Sequence, residues 1–168
     1  LFLCLTFCAA IGAFAQNLTL KDIYIRAPFI MPVEKEGVYY MYASSPTTEN
    51  GQTYGGMVAY KSRDLKTWHG PIRVFDVPRD NHLTGTVWAP EVHKYKGKYY
   101  LSYSTADLRI AYGMSDKPMG PYTYKGIFMG TPSINGQNIN ANNNNHHGIA
   151  EFKGHWYVAY HDRRIANG

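Results

Sequence analysis

Short, aromatic-rich, strand-like runs recur along the chain, each introduced by a turn glycine. They read Gly37-Val38-Tyr39-Tyr40-Met41-Tyr42, Gly97-Lys98-Tyr99-Tyr100-Leu101-Ser102-Tyr103 and Gly154-His155-Trp156-Tyr157-Val158-Ala159-Tyr160. A period of two is the pattern of a strand with one buried face, and the leading glycine marks a hairpin turn. The glycines at 37, 97 and 154 stand 60 and 57 residues apart. A second pattern lies between them and ends in Gly-Pro. Ser62-Arg63-Asp64-Leu65-Lys66 leads to Gly70-Pro71, and Ser115-Asp116-Lys117 leads to Gly120-Pro121. Strand-like runs precede these Gly-Pro loops (Gly56 to Lys61, Arg109 to Met114) and follow them (Ile72 to Val77, Tyr122 to Met129). No window sustains an apolar period of 3.6, so helix is expected to be minimal.

Each repeat therefore holds about four short strands, two in the hairpin and two flanking the Gly-Pro loop. Four-stranded units at this period predict an all-β chain folded as part of a β-propeller. A β-sandwich with coincidental internal similarity is the competing reading. Closing a ring takes at least four blades, whereas the hairpin spacing accounts for roughly two and a half to three. The chain, which begins with Leu and not Met, is accordingly read as a piece of something longer.

Composition agrees with this picture. Hydrophobic residues make up 45% and aromatic residues 15%, with 15 tyrosines, so one core can form and wholesale disorder is excluded. Net charge is +5, but the surplus is thinly spread. Arg163-Arg164 is the nearest approach to a basic block, and no nucleic-acid partner is expected. Leu1 to Ala15 is an apolar run closed by Ala13-Phe14-Ala15, the small-x-small pattern of a signal-peptide cleavage site. Residues 1–15 are read as a signal-peptide remnant, residues 16–168 as the propeller fragment, and the location as secreted or periplasmic. Both cysteines, Cys4 and Cys8, fall in the leader, which leaves the mature part without a thiol nucleophile or a Cys-based zinc site. No later stretch is long and apolar enough for a membrane helix.

In a propeller the innermost strand of each blade lines the axial channel, which singles out Asp22 to Ile30, Thr86 to His93 and Asn142 to Ala150. In the second, Glu91 follows Trp88-Ala89-Pro90 and is a candidate for a partly desolvated acid, a surface ion pair with Lys94 or Lys96 being the alternative. The third follows an Asn-rich loop, Asn135 through Asn145, and runs into His146-His147-Gly148. Adjacent histidines on a strand alternate faces, so one of the two can enter the channel.

These segments resemble glycoside hydrolase family 43. The resemblance rests on Asp22-Ile23-Tyr24-Ile25-Arg26-Ala27-Pro28-Phe29-Ile30, Val87-Trp88-Ala89-Pro90-Glu91-Val92, Tyr95-Lys96-Gly97-Lys98-Tyr99-Tyr100-Leu101, Gly120-Pro121-Tyr122 and Asn145-His146-His147-Gly148-Ile149, followed by Phe152-Lys153-Gly154-His155-Trp156-Tyr157. It implies a five-bladed propeller, of which about half is present, and an inverting glycosidase acting on arabinose- or xylose-containing plant cell-wall polysaccharides. Inversion uses an acid and a base roughly 6.5–9.5 Å apart, with water between. The family places its base in an Arg-Asp-Pro-Phe motif, and Ala27 stands at that Asp here. The Ile-Asp-Pro motif of the carboxylate that tunes the acid does not occur in this chain.

Glu91 carries the acidic place of the Trp-Ala-Pro motif. Either blades have been spliced out, so that Glu91 is a second-blade residue and the acid is absent, or Glu91 stands where the acid belongs. His147 matches the family's axial histidine, which lies near the sugar and in some members beside calcium; no cofactor is otherwise implied. Trp88 is the candidate apolar wall for a sugar face, core packing being its alternative. A non-catalytic carbohydrate-binding propeller is the second functional reading.

Overall fold

The computed structural model describes residues 16–79, 85–106, 109–129 and 144–162. The leader reading of Leu1 to Ala15, nearly all of the Asn-rich loop and Arg163-Arg164 lie outside those residues. Among the described residues thirteen strands run in chain order: β1 (Gln16–Thr19), β2 (Phe29–Val33), β3 (Val38–Ser44), β4 (Thr47–Glu49), β5 (Gln52–Tyr54), β6 (Gly56–Ser62), β7 (Thr67–Asp76), β8 (Trp88–Tyr95), β9 (Lys98–Ser104), β10 (Ile110–Ser115), β11 (Thr123–Met129), β12 (Asn144–Phe152) and β13 (His155–Asp162). Helix among the described residues amounts to two 3-10 turns, Leu20–Asp22 and Glu34–Glu36.

The strands form successive antiparallel sheets, as the repeats predict. The first blade has the order β7-β6-β3-β2 with β1 added at its outer edge, the second β11-β10-β9-β8, and the third begins as the pair β12-β13. The chain is all-β, a partial β-propeller. Two of its hairpins owe their register to one device. Lys96 and Gly97 have φ of 46° and 79°, and Lys153 and Gly154 have 50° and 79°. Positive φ at both central residues is the two-residue turn whose twist matches antiparallel strands. It sets Tyr95 opposite Lys98, and Phe152 opposite His155.

The first Gly-Pro expectation needs correction. Gly70-Pro71 does not form the loop but lies inside β7, where the register against β6 shifts between Ala59 and Lys61. The turn is made earlier, by the Asp64 carboxylate accepting the backbone N–H groups of Lys66 and Thr67, each at 2.8 Å. Side chains of this kind mimic a backbone turn and release the Gly-Pro pair from that task. Gly120-Pro121 does precede its strand, β11.

Between the first two blades the packing is tight. Tyr42, Met57, Val74 and Phe75 meet Val92, Leu101, Tyr103 and Tyr122, all buried. Phe75 and Tyr103 have ring centroids 5.0 Å apart, and Tyr42 meets Tyr122 edge-on at 6.5 Å. The segment leading into β11 is stitched to β7 by Tyr122 N–H donating to the Val74 carbonyl at 2.8 Å. Gly120 makes this approach possible. Its φ is +70°, and a Cβ there would stand 2.7 Å from the Val74 oxygen. Gly120→Ala is therefore expected to lose about 2 kcal/mol, from the left-handed backbone and the clash together. A denaturant midpoint unchanged from wild type would contradict the contact.

Candidate functional site

The innermost strands β2, β8 and β12 meet where the site was expected. Along β8, residues 91, 93 and 95 share one face because strand side chains alternate. Counting outward from the Lys96-Gly97 turn sets Glu91 opposite Ser102 on β9. Glu91 and His93 are mostly buried, with 17% and 20% of their side-chain surface exposed, and His93 Nε2 lies 3.0 Å from Glu91 Oε2. The same carboxylate oxygen accepts the backbone N–H of Ile149 on β12 at 2.8 Å. His93 also touches rings on both sides, Phe29 of β2 at 5.3 Å and Trp156 of β13 at 5.6 Å between centroids. Three blades thus converge on the Glu91–His93 pair.

His147 joins the cluster through its ring, with Nε2 2.7 Å from Ser102 Oγ. The ladder between β12 and β13 slips between Asn144 and His147 and is regular from His147 onward. Trp88 is half-buried at the first position of β8, opposite Ser104. Of the sequence candidates, Glu91 and His147 are therefore brought together around Ser102, with Trp88 at the start of the same strand. The lysine ion pair considered for Glu91 is not its contact, because His93 and Ile149 are its partners.

His93 and Ser102 were not singled out in the sequence, although a signal existed. His93 is two residues from Glu91 on a strand, and Ser102 is its cross-strand partner once the two-residue turn at Gly97 fixes the register.

Ala27 sits two residues before Phe29, exposed, with φ of 47°. Ala89 repeats this conformation at φ 50°, again directly before a proline. Two blades thus open with an Ala-Pro step in left-handed backbone, which costs an alanine roughly 1–2 kcal/mol. Asp22, the nearest upstream carboxylate, is occupied elsewhere: it accepts Thr19 N–H at 2.8 Å and Thr19 Oγ1 at 2.7 Å. Those bonds, the backbone one first, hold its pKa below the usual carboxylate range. Among the described residues the cluster holds the Glu91 carboxylate, the His93 and His147 imidazoles and the Ser102 hydroxyl. Among the described residues no group of three or more His, Cys, Asp or Glu forms a metal-holding cluster.

Comparison with known proteins fits this architecture. The family model for Glycosyl hydrolases family 43 matches residues 23–142. The chain belongs to this family.

Relatives include a xylosidase/arabinosidase of Bacteroides ovatus, 46% identical over 72 residues, covering 42% of this chain and 20% of the relative. An arabinoxylan arabinofuranohydrolase of Bacillus subtilis (strain 168) is 32% identical over 155 residues, covering 80% of this chain and 28% of the relative. Among solved structures, an endo-arabinase from Bacteroides thetaiotaomicron superposes with a TM-score of 0.65 at 22% identity, covering 93% of this chain and 51% of that one. A GH43_1 enzyme from Xanthomonas citri complexed with xylotriose gives 0.64 at 25% identity, with 86% and 50% covered. This family 43 chain spans about half of those solved chains and less than a third of the two curated relatives.

Proposed function

We propose that the chain is the part of an exported inverting glycoside hydrolase that carries the first blades of its site, acting on arabinose- or xylose-containing plant polysaccharides. The observation that carries this is the convergence of β2, β8 and β12 on Glu91, His93 and His147 in a family 43 chain. The relatives' names, xylosidase/arabinosidase, beta-xylosidase and arabinoxylan arabinofuranohydrolase, support the pentose class. The apolar run ending in Ala13-Phe14-Ala15 supports export. In this reading His147 and Trp88 contact sugar, and Glu91 is the carboxyl that either protonates the leaving oxygen or orients the groups that do the chemistry.

Ala27 decides how far the chemistry can run, because a methyl group cannot take a proton from water. Asp tolerates left-handed backbone better than Ala, so Ala27→Asp fits the observed φ of 47° while supplying the carboxylate. On an aryl α-L-arabinofuranoside or aryl β-xyloside, the unaltered chain should stay near background and Ala27→Asp should raise turnover about 100-fold, the lower range for a general base. No gain in Ala27→Asp, with a full-length relative active in the same assay, would mean that the missing base is not the sole defect.

The same alanine favours the second reading, a carbohydrate-binding propeller without turnover. There, xylo- or arabino-oligosaccharides bind the unaltered chain saturably, and replacing Trp88 or His147 weakens binding. Calorimetry that registers no heat with either sugar series would remove this reading.

A further inference from the structure

Glu91 and Ser102, side by side on the face of the second blade, hold the third blade at two points of one strand. Glu91 Oε2 takes the Ile149 N–H at 2.8 Å, and Ser102 Oγ meets His147 Nε2 at 2.7 Å. The two points are two residues apart along β12, one a backbone N–H and the other a side chain. The ladder with β13 begins its regular register at His147, directly after a slip. A strand whose register is loose on one side needs a second constraint to fix which residues point inward. A carboxylate that caps the backbone N–H of a neighbouring blade supplies it, in place of a ladder partner.

The carboxylate is itself fixed by His93, whose ring is wedged between Phe29 and Trp156. Gly148 lies beneath it, where an added Cβ would come to 3.8 Å from Oε1, an ordinary contact. Reach is decisive here: an aspartate would withdraw the carboxylate by one methylene from the Ile149 N–H.

We infer that Glu91 is a positioning residue: it clamps β12 through the Ile149 N–H and so holds His147 against Ser102. The clamp deepens the proposed function, since it matters to sugar only if His147 contacts sugar. The bonds themselves do not depend on that reading, and amide exchange and ring resonances report them without turnover.

In the full chain, labelled with ¹⁵N, amide exchange at Ile149 and the ring-nitrogen resonances of His147 report the two contacts separately. Glu91→Ala should speed Ile149 exchange about tenfold, the weight of one charge-assisted hydrogen bond, and shift the His147 resonances. Glu91→Gln should restore most of the protection, because its carboxamide oxygen accepts the same bond. Ser102→Ala should shift His147 and leave Ile149 protected. If Glu91→Ala does not fold, Glu91→Asp carries the same reading through its shorter reach. Wild-type exchange and wild-type His147 resonances in the folded variant would overturn the clamp. So would a Glu91→Gln defect, in the Ala27→Asp background, confined to substrates with poor leaving groups while the Glu91→Ala chain keeps its His147 resonances. That pattern belongs to a general acid.

Discussion

Raising the pH above 10 should unfold this protein cooperatively, and the cause lies in its buried tyrosines. Tyr42, Tyr103 and Tyr122 are at most 5% exposed, and burial pushes their pKa values up from the ordinary 10.0. Tyr40 is pushed up to about 12, first by burial and then by the neighbouring Glu36 carboxylate. A phenol whose folded pKa exceeds its unfolded value contributes stability that is complete below pH 10 and is lost as the pH climbs toward the folded value. The unfolded chain sheds those protons first. Three phenols held neutral while the unfolded state ionises tilt the balance by about 4 kcal/mol per pH unit. Against a typical stability of about 5–15 kcal/mol, that brings unfolding within roughly one to four units above pH 10. Absorbance of tyrosinate near 295 nm should rise in two phases, the second, from the buried set, coinciding with loss of the β-sheet circular dichroism. A single phase centred near pH 10, with the sheet signal intact, would show that these rings reach solvent without unfolding.

The same tyrosines show why so much of the fold could be read ahead of the structure. Val38 to Tyr42 and Lys98 to Tyr103 alternate because one blade face packs on the next, and Lys-Gly at 96–97 and 153–154 demands a two-residue turn. Those are local signals, confined to a few residues, and they gave the strands and the hairpins. Gly70-Pro71 misled because a Gly-Pro pair marks a bend without saying whether a loop or a strand irregularity makes it. The added strand β1 and the small β4–β5 hairpin left no mark, since Gln16–Thr19 and Thr47–Tyr54 carry little apolar pattern.

At the site the division is sharper. Glu91 and His147 were legible as chemical types at strand starts. Their joining through Ile149 and Ser102 was not, because it spans 58 residues for one bond and 45 for the other. The left-handed backbone at Ala27 and Ala89 was equally hidden, since alanine gives no conformational hint of it. What can be learned from such a sequence is the inventory of groups and the strand each stands on. Which donor meets which acceptor across blades depends on sheet stacking, which no local pattern encodes.

Two tyrosines at the interface of the first and second blades should respond oppositely to loss of a single oxygen. The Tyr42 hydroxyl donates to the Pro118 carbonyl at 2.8 Å, and Tyr122 donates to the same oxygen at 2.9 Å. Tyr42→Phe removes one of two bonds to an acceptor that stays satisfied, so its cost should be about 1 kcal/mol. Tyr42→Ala removes the whole ring from full burial, together with its edge contact to Tyr122, and should cost about 3–5 kcal/mol. The Tyr103 hydroxyl is buried without a hydrogen-bond partner among the described residues. A buried, unpaired hydroxyl carries a desolvation penalty of about 1–3 kcal/mol, so Tyr103→Phe should be neutral or stabilising by about 1 kcal/mol. Ring packing against Phe75 survives that change. Urea titrations of the three variants against wild type give the order directly: Tyr103→Phe at or above wild type, Tyr42→Phe slightly below, Tyr42→Ala far below. If Tyr103→Phe fell as low as Tyr42→Phe, the Tyr103 oxygen would have a partner after all. If Tyr42→Ala were no worse than Tyr42→Phe, the two blades would not be held together by the ring packing described above.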